Sequence, residues 1–127
     1  MSFKGKNTSE IKDEDKVTNL SLLDLQKESM SKPLDEEKMR CALSQLKEQC
    51  DKLRQQGVKI ILAETPNDPT LHDLQQTIMA RNLVHEYFPV GEYDYFDVDW
   101  NDYKTKDGVH LTEYSAKHYA REMTYKY

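Results

Sequence analysis

The segment GVKIILAETP, residues 57–66, decides the fold class. Its Val58–Glu64 part is a short run rich in β-branched and other apolar residues, which is typical of a strand buried on both faces. Gly57 ends the helical pattern before it, and the proline that follows defeats regular structure. A helix that leads into such a strand through one glycine predicts half of an α/β unit.

The clearest helix of the sequence lies directly upstream, between Asp35 and Gly57. Asp35 is a suitable N-cap, and the two glutamates after it favour the positive end of the helix dipole. Apolar residues then recur every third or fourth position, at Met39, Leu43, Leu46, Cys50 and Leu53. This stripe spans too few heptads for a coiled coil, so it predicts a helix that packs on a sheet.

Downstream of residue 64 the pattern continues to alternate between loops, helices and strands. Two prolines make Thr65–Thr70 a loop, and Thr70 with Asp73 predicts the capped start of a second helix that stops at Pro89. Tyr93–Trp100 alternates apolar and acidic residues, as a strand with one wet face does. Thr112 is the predicted N-cap of a last helix.

Length and charge limit the classes of function. A chain of 127 residues is one modest domain, and its formal net charge of -5 argues against a nucleic-acid or anionic-membrane partner. No segment is apolar enough to cross a bilayer, and the N-terminus has no apolar signal region. We therefore expect a cytoplasmic protein by default, with no membrane association.

Composition divides the chain into an arm and a domain. Residues 1–34 are mainly polar and predict a partly disordered N-terminal arm, in which Val17–Gln26 is either a short helix or an irregular apolar segment. Residues 35–127 form the predicted α/β domain. Cys41 and Cys50 are nine residues apart on one helix and face opposite sides, so we expect two buried thiols without a disulfide.

The motif DGVH places Asp107 and His110 around Gly108, between a strand-like and a helix-like segment. An imidazole takes a proton from a hydroxyl efficiently when a carboxylate fixes its tautomer and stabilises the resulting cation. Gly108 lets one short loop deliver both groups. The pair therefore predicts a general base with its orienting group, and the alternative is a structural pair that caps the loop.

A metal site is a further alternative for the same motif. It would combine Asp107 and His110 with some of the acidic residues of the preceding segment, which are Asp94, Asp97, Asp99 and Asp102. The sequence has no EF-hand spacing and no HExxH pattern. We interpret the acidic run as the solvated face of a strand and loop, and we expect no metal and no organic cofactor.

The segment DGVHLT, followed by a helix, resembles the last block of the SGNH (GDSL-type) hydrolase family. The resemblance covers roughly residues 35–125 and includes the helix ending LRQQG, the segment VKIILAETP and the segment YFDVDW. It implies a three-layer α/β/α sandwich with a parallel, flavodoxin-like sheet. It also implies ester hydrolysis or acyl transfer on an O-acyl saccharide or lipid, with His110 as base and Asp107 as its orienter.

The early blocks of that family have no clear counterpart here, because none of the four glycines stands in a Gly-Asp-Ser or Gly-x-Asn-Asp block. Ser21 in NLSL is the candidate nucleophile, and Asn67 in TPND is the candidate oxyanion donor. The resemblance thus implies the C-terminal half of an SGNH-like domain. The chain is then either a fragment or truncated gene product, or a protein that has lost the early strands and serves another purpose. If the parent protein is secreted, the cytoplasmic default no longer holds.

An incomplete sheet has a consequence for partners. Its unpaired edge predicts association, either as a homo-oligomer or with a partner chain. The alternative function follows from the same observation: a non-enzymatic α/β module, or an inactive truncated hydrolase, that binds a protein partner through the stripe Met39–Leu53 or through the sheet edge.

Overall fold

The computed structural model describes residues 18–127. These contain four α-helices and two β-strands, which are α1 (Leu20–Met30), α2 (Glu36–Gln55), β1 (Ile61–Ala63), α3 (Gln75–Tyr87), β2 (Asp94–Phe96) and α4 (Glu113–Lys126), with 3₁₀ turns at Pro69–Leu71 and Trp100–Asp102. The mixture of helices with a parallel strand pair confirms an α/β class.

Two compact units make up this part of the chain. Residues 18–29, 65–72 and 98–127 form the first unit, and residues 30–64 and 73–97 form the second. The predicted arm falls partly outside the described residues, because residues 1–17 are not among them. Within the predicted arm, α1 is helical and its Leu23 is buried with 5% of its surface exposed.

In the second unit, α2 confirms the helix predicted between Asp35 and Gly57. The Asp35 carboxylate accepts the Lys38 N–H at 3.1 Å, which satisfies one of the unpaired donors of the first turn. The Gly57 N–H donates to the carbonyl of Arg54, and Gly57 has a φ of +87°. This left-handed conformation at the helix end explains the glycine.

The apolar stripe of α2 is only partly buried. Leu43 and Cys50 are buried, and they form a core cluster with Leu83, Phe88 and Tyr93. Leu46 and Leu53 remain 49% and 41% exposed. The prediction of two buried thiols is wrong for Cys41, which is exposed, and both cysteines are free as expected.

The two strands of the second unit pair in parallel, with Ile61 opposite Asp94 and Ala63 opposite Phe96. Helix α3 lies between them in the sequence, so β1, α3 and β2 form a βαβ unit. Both strands are shorter than predicted. After β2, the Asp99 carboxylate accepts the Asn101 N–H at 2.9 Å and starts a 3₁₀ turn, which explains why the predicted strand does not reach Trp100.

The second predicted helix starts later than the capping pattern indicated. Asp68, rather than Asp73, partners Thr70: its carboxylate accepts the Thr70 N–H at 3.0 Å and the Thr70 hydroxyl at 2.6 Å. These two bonds stabilise the 3₁₀ turn Pro69–Leu71, and α3 begins only after it, at Gln75. The helix ends at Tyr87, before the proline that was predicted to stop it.

In the first unit, α4 begins where the sequence indicates. The Thr112 hydroxyl accepts the Ser115 N–H at 3.2 Å, so Thr112 is the N-cap. Ser115 is 1% exposed, and its own hydroxyl accepts the Lys104 N–H at 2.9 Å. This bond fixes the start of α4 to the strand-like segment before the DGVH motif. Within residues 18–127, no helix is both long and apolar enough to cross a membrane.

Candidate active site

The DGVH motif lies in a tight loop of the first unit, between two segments that pair at Thr105 and Leu111. The Lys106 N–H donates to the His110 carbonyl at 2.8 Å and closes the loop. Inside it, the Gly108 N–H donates to the Thr105 hydroxyl at 3.0 Å. Thr105 is 2% exposed, so a buried polar side chain anchors the loop. These hydrogen bonds fix the backbone that carries the side chains of Asp107 and His110.

The Asp107 carboxylate divides its two oxygens between the loop and the imidazole. Oδ1 accepts the backbone N–H groups of Val109 and His110, at 3.1 and 2.8 Å. Oδ2 lies 2.7 Å from Nδ1 of His110. Partial burial tends to raise the pKa of Asp107, but the hydrogen bonds from the His110 ring and from the two N–H groups prevail and lower it. The carboxylate is therefore ionised at neutral pH.

In the described part of the chain, one nitrogen of the His110 ring is hydrogen-bonded and the other has no hydrogen-bond partner. An ionised carboxylate is only an acceptor, so the neutral ring carries its proton on Nδ1 and leaves the lone pair on Nε2. The side chain is 75% exposed, and Asp107 is its only hydrogen-bond partner among residues 18–127. Nε2 can thus accept a proton from a hydroxyl or a water molecule.

Two other segments of the first unit contact this loop through the backbone. The Asn19 N–H, just before α1, donates to the Lys106 carbonyl at 2.8 Å, and the Asp68 N–H donates to the Gly108 carbonyl at 2.7 Å. Leu23 of α1 packs against Gly108 so closely that a Cβ on this glycine would lie 2.7 Å from Leu23 Cδ1. The three segments that carry the predicted site residues therefore meet at one loop.

The other two candidates are Ser21, the predicted nucleophile, and Asn67, the predicted oxyanion donor. Ser21 is exposed on the first turn of α1, and a spacing of two residues puts it about 200° around the helix from Leu23. In the described part of the chain no hydrogen bond joins Ser21 to His110. Asn67 is half-buried and directly precedes Asp68, whose N–H contacts the loop. Both assignments stay predictions.

Sequence reasoning missed the residues that support the loop. Thr105 accepts the Gly108 N–H and, through its carbonyl, the Thr18 hydroxyl at 2.7 Å. Asp68, which also contacts the loop, lies in the predicted loop Thr65–Thr70. The signal for Thr105 was available, because a threonine three residues before a glycine is a pattern in which the hydroxyl caps a turn. The contact of Asp68 is long-range and leaves no local pattern.

The metal alternative finds no support in the described residues. Among residues 18–127 no group of three or more histidines, cysteines, aspartates or glutamates is arranged to hold a metal ion. Two of the carboxylates considered have other partners: Asp94 pairs with Lys59 at 3.1 Å, and Asp99 accepts the Asn101 N–H. Asp94 and Asp99 thus serve local structure.

Comparison of the chain with protein-family models, with curated proteins and with solved structures finds no match.

Proposed function

We propose that the chain is an SGNH-like acyl hydrolase domain, in which His110 is the general base and Asp107 orients it. One observation carries the proposal: Asp107 Oδ2 lies 2.7 Å from His110 Nδ1, on a ring that is 75% exposed. A purely structural capping pair needs only Asp107 Oδ1, which already accepts both backbone N–H groups of the loop. The second oxygen serves the imidazole alone.

The reaction that this pair supports is hydrolysis of an ester, or transfer of its acyl group. Nε2 of His110 removes the proton of a nucleophilic hydroxyl while the oxygen attacks the ester carbonyl. The imidazolium formed is stabilised by the Asp107 carboxylate, and it then gives the proton to the departing alkoxide, which leaves the acyl group on the nucleophile. For hydrolysis, Nε2 next takes a proton from a water molecule that attacks this acyl group, and the proton returns to the nucleophile oxygen as the free acid leaves. The substrate class is an O-acyl ester on a saccharide or a lipid, as the resemblance to the family implies.

The other parts of the site follow from the contacts of the loop. The segment with Asn67 is held against Gly108 through the neighbouring Asp68, which favours the Asn67 amide as the donor to the oxyanion. Ser21 belongs to a helix that also contacts the loop, but its face points away from the one that Leu23 uses. The fold expected with this function is a three-layer α/β/α sandwich with a parallel sheet, and the parallel pairing of β1 with β2 supports it.

Turnover of p-nitrophenyl acetate by the full chain tests the proposal. We expect a rate about 10²-fold or more above that of free imidazole at equal concentration, because an oriented base in a protein contributes at least this factor. Mass spectrometry of the quenched reaction locates the acetyl group. Acetylation of Ser21, lost in Ser21→Ala, would identify the nucleophile, and acetylation of another hydroxyl would reassign it.

A rate no higher than that of imidazole would contradict the proposal. The alternative, a protein-interaction module, would then take its place. The exposed Leu46 and Leu53 on α2 are the observation that favours this alternative.

A further inference from the structure

A cavity of about 280 Å³ lies entirely within the second unit, apart from the Asp107–His110 loop in the sequence and in its lining. Two of its lining residues, Glu64 and Asp97, directly follow β1 and β2. These strands are parallel, so the cavity lies at their carboxyl ends. Open α/β sheets place their ligands at this edge.

One face of α3 supplies much of the wall. Its lining residues recur at spacings of four, as Gln76, Ala80 and Val84 and as Thr77, Arg81 and His85. Residues four apart lie above one another on a helix, so this face is continuous. Together with Leu62 and Ala63 of β1 it provides a largely apolar surface with a few polar groups, as small-molecule sites have. We call this site the α3 cavity.

The size of the α3 cavity limits its occupant. An apolar cavity of about 150 Å³ accepts benzene, and drug-sized ligands occupy about 300 Å³ or more. A volume of about 280 Å³ therefore suits one ring, or a branched aliphatic group of similar size, with a short tail.

The charged residues that line the α3 cavity determine which ligand charge is favoured. Arg81 is held by Glu64 through two hydrogen bonds, Nε to Oε2 at 2.8 Å and Nη2 to Oε1 at 2.7 Å. The guanidinium is thus already bound to a carboxylate, while Asp97 is exposed and has no ion pair among the described residues. The charge left over at the cavity is negative, which attracts a cation and repels an anion.

A buried hydroxyl adds an independent sign of a missing partner. Thr77 is 9% exposed, and its Oγ1 has no hydrogen-bond partner in the described part of the chain. Unpaired buried hydroxyls are uncommon because they lose their bonds to water without replacement.

From these features we infer that the α3 cavity binds a small apolar amine, with its ring or aliphatic body between β1 and α3 and its ammonium group at Asp97. This binding site does not depend on the proposed hydrolase function, and none of its residues belongs to the Asp107–His110 loop.

Three probes that share a benzyl group and differ in the polar end test the inference on the full chain: phenethylamine, phenethyl alcohol and phenylacetate, each titrated by calorimetry. We expect the amine to bind tightest and phenylacetate weakest, with about a tenfold difference between these two, because the carboxylate of Asp97 attracts one and repels the other. Asp97→Asn should weaken binding of the amine about fivefold and leave the alcohol unchanged.

A matched pair of variants locates the site. Ala80→Phe fills the α3 cavity and should abolish binding of all three probes. Asn82→Phe adds the same ring on an exposed position of α3 outside the lining and should leave binding intact. Absence of binding by all probes, equal affinity for the amine and phenylacetate, or binding that survives Ala80→Phe would overturn the inference. If the added ring of Ala80→Phe prevents folding, Asp97→Asn still tests the inferred site, because it changes only the charge at the α3 cavity.

Discussion

Replacement of His110 by alanine is expected to lower the rate of p-nitrophenyl acetate hydrolysis about 10²- to 10⁴-fold, which is the contribution of a well-placed general base. The physical reason is the geometry of the ring. His110 is the group that presents an open nitrogen, Nε2, while its other nitrogen is held 2.7 Å from a carboxylate. The substitution leaves the Lys106 to His110 backbone bond in place, so the loop should keep its form.

His118→Ala is the matched control for that experiment. His118 lies on α4 of the same unit, is half-buried, and stacks on Tyr103 with ring centroids 5.2 Å apart. It also lies near Glu122, at 4.0 Å. We expect its loss to leave the hydrolysis rate within about twofold of the wild type, since no lone pair is oriented there by Asp107. Equal losses in His118→Ala and His110→Ala would contradict a specific role for His110.

Replacement of Gly108 by alanine is expected to destabilise the first unit by about 2–6 kcal/mol. Gly108 has a φ of +102°, a conformation that costs a residue with a side chain about 1–3 kcal/mol. In addition, the new Cβ would lie 2.7 Å from Cδ1 of Leu23, which is 5% exposed and has little room to move. Overpacking of this kind costs a further 1–3 kcal/mol, approximately. Urea denaturation followed by circular dichroism measures the sum.

Gly91→Ala separates the two contributions to that cost. Gly91 has a φ of +104°, almost that of Gly108, but nothing lies within 4 Å of the position of its Cβ. This variant should show the backbone strain alone, about 1–3 kcal/mol. If Gly108→Ala were no more destabilising than Gly91→Ala, the close contact between Leu23 and the DGVH loop would not exist in solution.

Local sequence signals predicted the parts of the fold that depend on local bonds. Asp35, Gly57 and Thr112 each act through a partner within three residues, so the bounds of α2 and the start of α4 could be read from the sequence. The predicted cap at Thr70 is wrong because another local bond replaces it. The Asp68 carboxylate accepts both the N–H and the hydroxyl of Thr70, so Thr70 belongs to a 3₁₀ turn and not to the start of α3.

Non-local contacts set the limits of prediction at the site. The pairing of Asp107 with His110 is local and was visible in the motif. The approach of Asp68 and Leu23 to Gly108 joins segments about 40 and 85 residues away in the chain, and no periodicity encodes it. The α3 cavity was missed for the same reason, since its wall combines β1, α3 and the residue after β2.

The rate of p-nitrophenyl acetate hydrolysis by Asp107→Asn tests most directly whether Asp107 orients His110 as a base. Asparagine keeps the Oδ1 acceptor for the N–H groups of Val109 and His110, so the loop should survive. Its amide, however, donates toward Nδ1 and moves the ring proton to Nε2, which removes the base. We predict a rate within about tenfold of that of His110→Ala. A rate equal to that of the wild type would contradict the claim and leave Asp107 as a loop cap.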